Sequence, residues 1–372
     1  MGLEGELRIG LRVSDGRVER IRITSTRPDV ARALLEGRTR AEVTAAVPLL
    51  FSICGRSQAV ASELACAAAA DEAATPDTLA HGSAAVAAEI VRECAWRTLL
   101  DWPGLIGETP SDEAVAAARG SLAFHLDAPA DRGGNVIASA IALAAFGVAA
   151  DAWLALPSLT ALDRWIDAGQ TATARFMRRV RDDDAAAGAP RDRPAAEPVL
   201  LDGQHHAAWI AELSAAFDAD AEFARHPTWH GAPAETGALA RLQSDPLIVE
   251  LNQRSASRIP ARFVARLREL ALLLAGRTTA VVGVKALPCG GGVAWVENAR
   301  GLLIHQVRLV QDRVHTYRII APTEWNFHPD GALASALSDS PAGDLDAARS
   351  RATRLVHSLD PCVACRVEFD DA

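Results

Sequence analysis

The sequence contains no apolar run of about 18 residues, the minimum expected of a helix that crosses a bilayer. Its opening residues, Met1 to Glu6, lack the basic and apolar regions of a secretory signal. It has no block of lysine and arginine, and its net charge of −9 argues against a surface for nucleic acid. These absences predict a cytoplasmic protein with neither a membrane nor a nucleic acid among its partners.

Aromatic residues and cysteines are also scarce. Only 5% of the residues are aromatic although 49% are hydrophobic, so alanine, leucine and valine must fill the core. Six cysteines in 372 residues are too few for a disulfide framework, and reduced thiols or metal ligands are the better interpretation. A second Cys-x-x-Cys pair is missing, which argues against a structural zinc site.

Hydrophobic periodicity predicts an α+β, mainly helical chain with small β pieces near the N-terminus and at about residues 280–325. Alternating apolar and polar residues on both sides of Asp15-Gly16 predict an N-terminal β-hairpin. The predicted parts are a β-hairpin at 1–28, a helical body at 29–180, a loop or linker at 181–203, and a segment at 204–372 with helices, β pieces and the C-terminal cysteines. All four are expected to pack as one domain.

Apolar spacing within that plan predicts the individual elements, with Ser83 and Ser111 as N-caps of two helices. The predicted helices are 83–100, 111–126, 135–150, 158–180, 238–253, 260–274 and 344–358. The predicted strands near the C-terminus are 280–284, 301–310 and 314–320.

The tail carries the pair Cys362 and Cys365 in the segment Asp-Pro-Cys-Val-Ala-Cys. Two intervening residues let both sulfurs face one metal ion, and thiolates suit low-valent iron, nickel, zinc and iron–sulfur centres. A thioredoxin-type redox pair opens a helix after a strand, whereas this pair ends the chain. On spacing alone, a metal site, a redox pair and an incidental pair all stay open.

Cys54 directly precedes an alanine-rich helical pattern. A helix N-terminus stabilises a thiolate, although a small buried residue is the alternative interpretation. Cys66 and Cys94 lie within apolar helical patterns and are interpreted as core. Cys289 stands beside three glycines that do not match a phosphate-binding loop, and its role stays open.

Short motifs along the chain resemble, in the same order, those of the large subunit of nickel–iron hydrogenases. They lie at 4–7 (Glu-Gly-Glu-Leu), 35–38 with 53–55 (Leu-Glu-Gly-Arg and Ile-Cys-Gly), 235–241 (Glu-Thr-Gly-Ala-Leu-Ala-Arg), 297–301 (Glu-Asn-Ala-Arg-Gly, with His305 following), 322–326 (Pro-Thr-Glu-Trp-Asn) and 360–365 (Asp-Pro-Cys-Val-Ala-Cys). The resemblance implies a trimmed large-subunit-like fold.

The departures from that family bear on nickel. The resemblance implies four cysteines around nickel, two of which also bridge to iron. Cys54 keeps the first position of the first cysteine motif, but Ser57 replaces its second cysteine and Ala61 its histidine. Because a hydroxyl is a poor ligand beside a thiolate, neither a nickel site nor hydrogenase activity is expected.

Two further departures bear on magnesium. Arg32 stands where the resemblance places a carboxylate of the family's magnesium site, and Glu368 stands where it places the histidine that ends the processed chain. A cation in place of a carboxylate, and an acid in place of a histidine, cannot rebuild that site. No magnesium is therefore expected.

The surroundings of the family's iron are retained. By resemblance, Arg300, Pro322, Thr323 and Asp360 match the residues around the cyanide ligands of that iron. Cyanide nitrogens carry negative charge, so a guanidinium and hydroxyl or backbone donors in a dry pocket would stabilise them. Without the resemblance, a surface ion pair and an ordinary strand residue would be the simpler interpretations of Arg300 and Thr323.

Glu4 occupies the position of the family's proton-transfer glutamate and is interpreted here as a solvated or structural carboxylate. The histidines outside the motifs are interpreted as non-catalytic: His81, the adjacent His205 and His206, and His226 and His230, which flank a proline.

This combination resembles the HupK/HoxV class of hydrogenase accessory proteins. The resemblance implies a maturation scaffold or carrier that transiently holds Fe(CN)2(CO), an iron with two cyanides and one carbonyl, through Cys54, Cys362 and Cys365. The implied partners are the maturation proteins that assemble the iron–cyanide fragment and a client hydrogenase large subunit. The alternatives are a metal-free chaperone of a hydrogenase subunit and a divergent redox enzyme.

Overall fold

The structure is a computed structural model that describes residues 5–26, 30–51, 53–125, 134–187, 197–203, 207–220, 222–338, 340 and 345–369. Its strands are β1 Glu6–Ser14, β2 Arg17–Ser25, β3 Val199–Leu200, β4 Ala234–Glu235, β5 Val282–Leu287, β6 Gly291–Asn298, β7 Gly301–Val310, β8 Arg313–Ile320 and β9 Ala364–Phe369. 

The helices are α1 Val30–Leu35, α2 Arg40–Leu50, α3 Gly55–Ala69, α4 Pro76–Trp96, α5 Trp102–Leu105, α6 Asp112–Gly120, α7 Gly134–Phe146, α8 Ala150–Leu154, α9 Leu159–Ala168, α10 Ala172–Ala186, α11 Ala207–Ala219, α12 Ala238–Arg241, α13 Pro246–Arg254, α14 Ile259–Leu274, α15 Pro322–Asn326, α16 Ala332–Leu337 and α17 Leu345–Leu359. A π-helical turn at Arg97–Asp101 follows α4, and a 3-10 turn at Ser121–Ala123 follows α6.

The chain divides into two compact units, each built from separated stretches of sequence. Residues 1–82, 194–240 and 281–372 form the first unit, and residues 83–193 and 241–280 form the second. The predicted parts at 1–28, 29–180, 181–203 and 204–372 are not these units, because elements distant in the sequence pack together within each unit.

The predicted N-terminal hairpin is confirmed and belongs to a three-stranded sheet in the first unit. β1 and β2 pair antiparallel across a turn in which Asp15 and Gly16 have φ values of 50° and 72°. β9 lies parallel to β1 on its other side, so the strand order is β2-β1-β9. Leu7, Ile9 and Leu11 alternate along β1 and are buried. 

A second sheet of the first unit carries most of the elements near the cysteines. It is antiparallel with the order β5-β6-β7-β8, and α3 packs on β6 and β7. Gly292 of β6 lies against the helix, and a Cβ there would meet the backbone of Ala65 and Ala69. Glycine thus permits the close approach of α3 to the sheet.

The second unit is helical in the described residues and has an aromatic centre. The Trp102 and Phe176 rings stack at 4.8 Å, and Phe263 meets each of them edge-on at 5.0 Å. These rings come from α5, α10 and α14, so one aromatic contact joins three helices.

The predicted start of the helix at Ser83 is wrong, because α4 already begins at Pro76. The Thr75 hydroxyl accepts a hydrogen bond from the Thr78 N–H at 3.1 Å, and proline is favoured at the first helical position. Ser83 instead lies inside the helix, 2.7 Å from the Thr279 hydroxyl. The Ser111 cap of α6 is confirmed by its bond from the Ala114 N–H at 3.2 Å.

The helix predicted at 158–180 is two helices. Gly169 ends α9 with a left-handed φ of 59°, and the Thr171 hydroxyl caps α10. α10 runs to Ala186, so the prediction of a loop from residue 181 is wrong for its first turn and a half, and residues 188–196 lie outside the described residues. Arg181 makes ion pairs with Asp163 and Asp167, which favour this continuation of the helix.

Two strands near the cysteines escaped sequence prediction. β6 is buried along nearly its whole length, so it lacks the apolar–polar alternation that identifies a strand. β9 begins two residues after Cys362 and is only six residues long, and no strand was predicted there. β6 is a strand because it pairs with β5 and β7, and β9 is a strand because it pairs with β1.

No helix in the part of the chain that the structure describes is both long enough and apolar enough to span a membrane.

Candidate metal centre

Arg300 lies in the two-residue turn that joins β6 to β7. Asn298 pairs with Gly301 across this turn, and its Oδ1 accepts hydrogen bonds from the N–H groups of Arg300 at 2.9 Å and Gly301 at 3.2 Å. Gly301 has a φ of 133°, and a Cβ at that position would meet the Thr236 side chain. The sequence Asn-Ala-Arg-Gly therefore fixes the backbone that presents the buried Arg300.

Asn326 connects that turn to α15. Its Nδ2 donates to the Arg300 carbonyl at 3.2 Å, while its Oδ1 accepts from the Thr236 N–H at 2.8 Å. Pro322 and Thr323 begin the same short helix, where proline is favoured because its missing N–H costs no hydrogen bond. The helix that carries Pro322 and Thr323 is thereby held against the Arg300 turn.

Cys362 is placed by the end of α17. Asp360 adopts a left-handed φ of 52° and donates its N–H to the Val356 carbonyl at 2.9 Å, and Pro361 then prevents further helix. Cys362 follows with only 8% of its surface exposed. The Thr323 Oγ1 lies 3.1 Å from its Sγ, so the structure brings these two predicted site residues into contact.

The predicted proximity of Arg300 and Asp360 is also observed. The Arg300 Nε and Asp360 Oδ2 are 3.8 Å apart, with side chains only 3% and 7% exposed. Burying two charges costs solvation, which their mutual attraction offsets only in part. The arrangement nevertheless keeps the Arg300 guanidinium away from bulk water, paired with a carboxylate two residues before Cys362, and a guanidinium can donate to an anionic ligand.

Cys365 lies in β9, opposite Leu7 of β1, and is partly buried. Burial, and in smaller part the Cys362 sulfur and the Glu6 carboxylate, raises the pKa of the Cys365 thiol to about 12. The thiol is therefore protonated at neutral pH when no cation is bound, and a metal that bound there would displace a proton.

Cys54 is the N-cap residue of α3, so its predicted position directly before a helix is confirmed. Its side chain is buried, with 8% of the residue exposed. A row of side chains, here termed the Cys54 hydrogen-bond chain, starts from it and comprises Cys54, Gln58, His305 and Tyr317. The Gln58 Nε2 donates to the Cys54 Sγ at 3.6 Å, and the Gln58 Oε1 is 2.9 Å from the His305 Nε2. The His305 Nδ1 is 2.8 Å from the Tyr317 hydroxyl.

Beyond Cys54, the Cys54 hydrogen-bond chain is inaccessible to water and uncharged. Gln58, His305 and Tyr317 have no exposed surface. Burial lowers the pKa of His305 to about 3, and it raises the pKa of Tyr317 well above its ordinary value. At neutral pH the ring and the phenol are therefore both neutral.

The three predicted metal ligands are not assembled as one ready-made site. Among the described residues, no group of three or more His, Cys, Asp or Glu side chains is arranged to hold a metal ion. Cys362 and Cys365 are close enough for one sulfur to shift the pKa of the other. Shared ligation by Cys54, Cys362 and Cys365 stays a prediction.

The structure locates the departures from the hydrogenase pattern. Ser57 and Ala61 are fully buried on α3, in the turns that follow Cys54. Arg32 is exposed in α1, and Glu368 is exposed in β9. The four substitutions are thus two in the interior and two on the surface.

The remaining candidates lie elsewhere. Cys66 and Cys94 are buried, as predicted, and burial raises the pKa of Cys66 to about 12. Cys289 is exposed in the turn between β5 and β6 with a φ of 57°. The His81 Nδ1 lies 2.7 Å from the Asp77 carbonyl oxygen, one turn earlier in the same helix. Glu4, His205 and His206 lie outside the described residues.

Sequence reasoning did not single out Gln58, Tyr317 or Asn326 as parts of the site. A signal existed for Gln58, because a residue four positions after a helix N-cap faces the same side as the cap. Asn326 ends one of the matched motifs, and Tyr317 is the single tyrosine of the chain. Their hydrogen bonds join segments up to 247 residues apart, which no local pattern predicts.

Comparison with known proteins gives relatives along nearly the whole chain. Hydrogenase expression/formation protein HupK of Rhizobium leguminosarum bv. viciae is 32% identical over 99% of this chain and 97% of its own. Hydrogenase expression/formation protein HoxV of Cupriavidus necator is 33% identical over 94% of this chain and 93% of its own.

Similarity to hydrogenase large subunits is more local in sequence. A family model described as nickel-dependent hydrogenase matches residues 276–368. The uptake hydrogenase large subunit of Rhizobium leguminosarum bv. viciae is 34% identical over 80 residues, which are 20% of this chain and 13% of that protein.

The fold extends the similarity beyond that segment. The reduced Ni-Fe-Se hydrogenase from D. vulgaris Hildenborough aligns with a TM-score of 0.57 and 16% identity, covering 94% of each chain. The Ni-Fe-Se hydrogenase from Desulfomicrobium baculatum aligns with a TM-score of 0.55 and 16% identity over 95% of each chain. The predicted large-subunit-like fold is confirmed, at an identity that shows the fold alone.

Proposed function

The chain belongs to the HupK/HoxV family of hydrogenase expression/formation proteins, and we propose that it is a maturation scaffold or carrier for the Fe(CN)2(CO) fragment of nickel–iron hydrogenase. It would receive the fragment from the proteins that assemble iron with cyanide and pass it to a client large subunit. Iron is here a cargo, not a resident cofactor.

The contact between Thr323 and Cys362 carries this proposal. A hydroxyl at 3.1 Å from a buried sulfur, two residues after an aspartate that pairs with a buried arginine, suits a thiolate-bound iron with anionic ligands. Arg300 would donate to the cyanide nitrogens, and Pro322 and Thr323 would line the same pocket. Asp360 would hold the Arg300 guanidinium in place.

The cargo itself explains why a complete ligand set is unnecessary. Iron that already carries two cyanides and one carbonyl needs only two or three protein sulfurs. Cys362 and Cys365 would supply two, and Cys54 would supply the third. A site with few protein ligands leaves the iron exchangeable, as a carrier requires.

A metal-free chaperone of a hydrogenase subunit is the second candidate. It is favoured by one observation, the lack of a preformed group of three ligands among the described residues. In that case the cysteines would serve packing, and the protein would recognise its client through its large-subunit-like surface.

Iron content separates the two functions. The protein is coproduced with the iron–cyanide assembly proteins, purified without oxygen, and analysed for iron and for cyanide and carbonyl infrared bands. The scaffold predicts iron with both kinds of band in the parent, and loss of both in Cys362→Ser and in Cys365→Ser. Cys289→Ser, which changes an exposed cysteine, is the matched control and should keep them. A parent with no bands contradicts the scaffold and supports the metal-free chaperone.

A further inference from the structure

We infer that Gln58 is a positioning residue that aims an N–H group at the Cys54 sulfur, and that His305 and Tyr317 hold its amide in that orientation. The inference rests on the proposed function, because Cys54 acts here as a ligand of the iron cargo. It assigns to three buried side chains of α3, β7 and β8 the task of weakening one iron–sulfur bond, so that the cargo can leave.

The orientation follows from which atoms can donate. The Gln58 Oε1 can only accept, so the His305 Nε2 at 2.9 Å must carry the hydrogen. A neutral imidazole has one N–H, so the His305 Nδ1 is an acceptor and the Tyr317 hydroxyl donates to it at 2.8 Å. The free side of the amide is then its NH2 group, which faces the Cys54 Sγ. Every hydrogen in the Cys54 hydrogen-bond chain points toward the sulfur.

This polarity favours an electron-pair donor at Cys54. A sulfur that receives an N–H bond donates an electron pair, and a thiolate or a metal-bound sulfur does so more strongly than a neutral thiol. The opposite state, with an S–H donating to the amide, requires the amide to turn over and the His305 hydrogen to move to the other nitrogen. Because all partners are buried, water cannot replace the bonds lost on the way.

An N–H bond to a metal-bound thiolate withdraws electron density from the sulfur and hence from the metal. The iron–sulfur bond becomes weaker, and less electron density flows into the carbonyl ligand. A carrier benefits from this, since a sulfur that bound more strongly would retain the cargo.

The first arm of the test needs no cargo. Histidine labelled with nitrogen-15 reports by nuclear magnetic resonance which ring nitrogen carries the hydrogen, and the signal of His305 is identified by its loss in His305→Gln. The parent should show a neutral ring with its hydrogen on Nε2. Tyr317→Phe, which removes the donor to Nδ1, should produce a mixture of the two neutral forms. A parent ring with its hydrogen on Nδ1 overturns the inference.

The second arm uses the loaded protein and Gln58→Leu, which keeps the size of the side chain without its N–H. The carbonyl stretching band should move to lower wavenumber, and cargo release to a thiol competitor should slow about fivefold, the factor for a net hydrogen bond of about 1 kcal/mol. Gln306→Leu is the matched control, because Gln306 is a buried glutamine one position after His305 on the opposite face of β7. It should leave both quantities unchanged.

The outcomes separate this inference from the proposed function. A parent without cyanide and carbonyl bands contradicts the proposed function. A parent with bands that Cys54→Ala leaves unaltered contradicts the inference alone, because Cys54 is then no ligand. Bands altered by Cys54→Ala but not by Gln58→Leu contradict it as well, because the amide then exerts no influence on the sulfur.

Discussion

At the scale of single residues, His305 gives folding stability a pH dependence of defined sign. Burial lowers its pKa from 6.5 to about 3, so the folded protein keeps the ring neutral where the unfolded chain protonates it. As the pH falls from 6.5 toward 3, the unfolded state gains a proton that the folded state does not bind. The free energy of unfolding therefore decreases as the pH falls through that window. Above the window, His305 does not make the free energy of unfolding depend on pH.

His305→Gln tests this dependence. As the pH falls from about 6 to about 4, the unfolding free energy of the parent should decrease more steeply than that of the variant. The difference in slope should be about 1 kcal/mol per pH unit. Urea unfolding at several pH values measures both slopes, and carboxylates common to the two proteins cancel in the difference. Parallel stability curves would show that His305 is protonated in the folded protein.

Asp360 is the second residue with a measurable charge role. Asp360→Asn removes a carboxylate that pairs with the buried Arg300 but keeps a residue type that tolerates the left-handed φ of 52°. We expect a destabilisation of about 3 kcal/mol in urea unfolding, since a buried guanidinium loses an opposite charge.

Asp15→Asn provides the control for that substitution. Asp15 also has a left-handed φ of 50°, but it is exposed in the hairpin turn, so the same change should cost less than about 0.5 kcal/mol. Equal effects of the two substitutions would mean that Arg300 does not depend on the Asp360 charge.

At the scale of elements, a glycine in β6 allows α3 to pack closely on the sheet. Gly292→Ala would place a methyl group against the backbone of Ala65 and Ala69, which cannot rotate away as a side chain can. The helix that carries Cys54 would have to shift, and we expect a loss of about 3 kcal/mol or more in unfolding free energy.

Gly120→Ala is the matched comparison for Gly292→Ala. Gly120 lies in a helical conformation at the end of α6 with no neighbouring atom within 4 Å of an added Cβ. Alanine should stabilise the protein there by about 0.5 kcal/mol, because it restricts the unfolded chain. If both substitutions had the same effect, the contact of α3 with β6 would not be tight.

Elements with a local signal could be predicted from the sequence. The hairpin around Asp15-Gly16 and the helix capped by Ser111 carry their turn and cap residues within a few positions. β6 and β9 could not be predicted, because they become strands through partners elsewhere in the chain. The boundary at Gly169 was missed because apolar spacing continues across it.

The same distinction holds for the candidate site. The structure brings Thr323 into contact with Cys362 and pairs Arg300 with Asp360. The motif resemblance already places these residues around one iron. The Cys54 hydrogen-bond chain needs a side chain from each of three elements and appears only in the folded structure.

At the scale of the whole molecule, the fold is that of a hydrogenase large subunit while the first cysteine motif is incomplete. Ser57, which stands where the resemblance to hydrogenase large subunits places a cysteine, occupies a fully buried position of α3. We expect the purified protein to contain less than one nickel per chain and to show no hydrogen-dependent reduction of dyes. Stoichiometric nickel, or dye reduction by the pure chain, would contradict the proposal of a scaffold.

Ser57→Cys makes that expectation sharper. A thiol at this buried position restores the pattern's fourth cysteine, and nickel affinity measured by equilibrium dialysis should rise relative to the parent. Ser62→Cys is the control, because Ser62 is an equally buried serine farther along the same helix and should leave nickel affinity unchanged.

The most direct measurement on the proposal is X-ray absorption at the iron edge of the protein purified from cells that make the iron–cyanide fragment. A carrier of the fragment should show a shell of short iron–carbon bonds together with two or three sulfur neighbours, and bound iron should be lost in Cys362→Ser and Cys365→Ser. The number of sulfurs also decides whether Cys54 is a ligand. Iron surrounded by nitrogen and oxygen alone, or an iron content that the cysteine substitutions leave unchanged, would contradict the proposal.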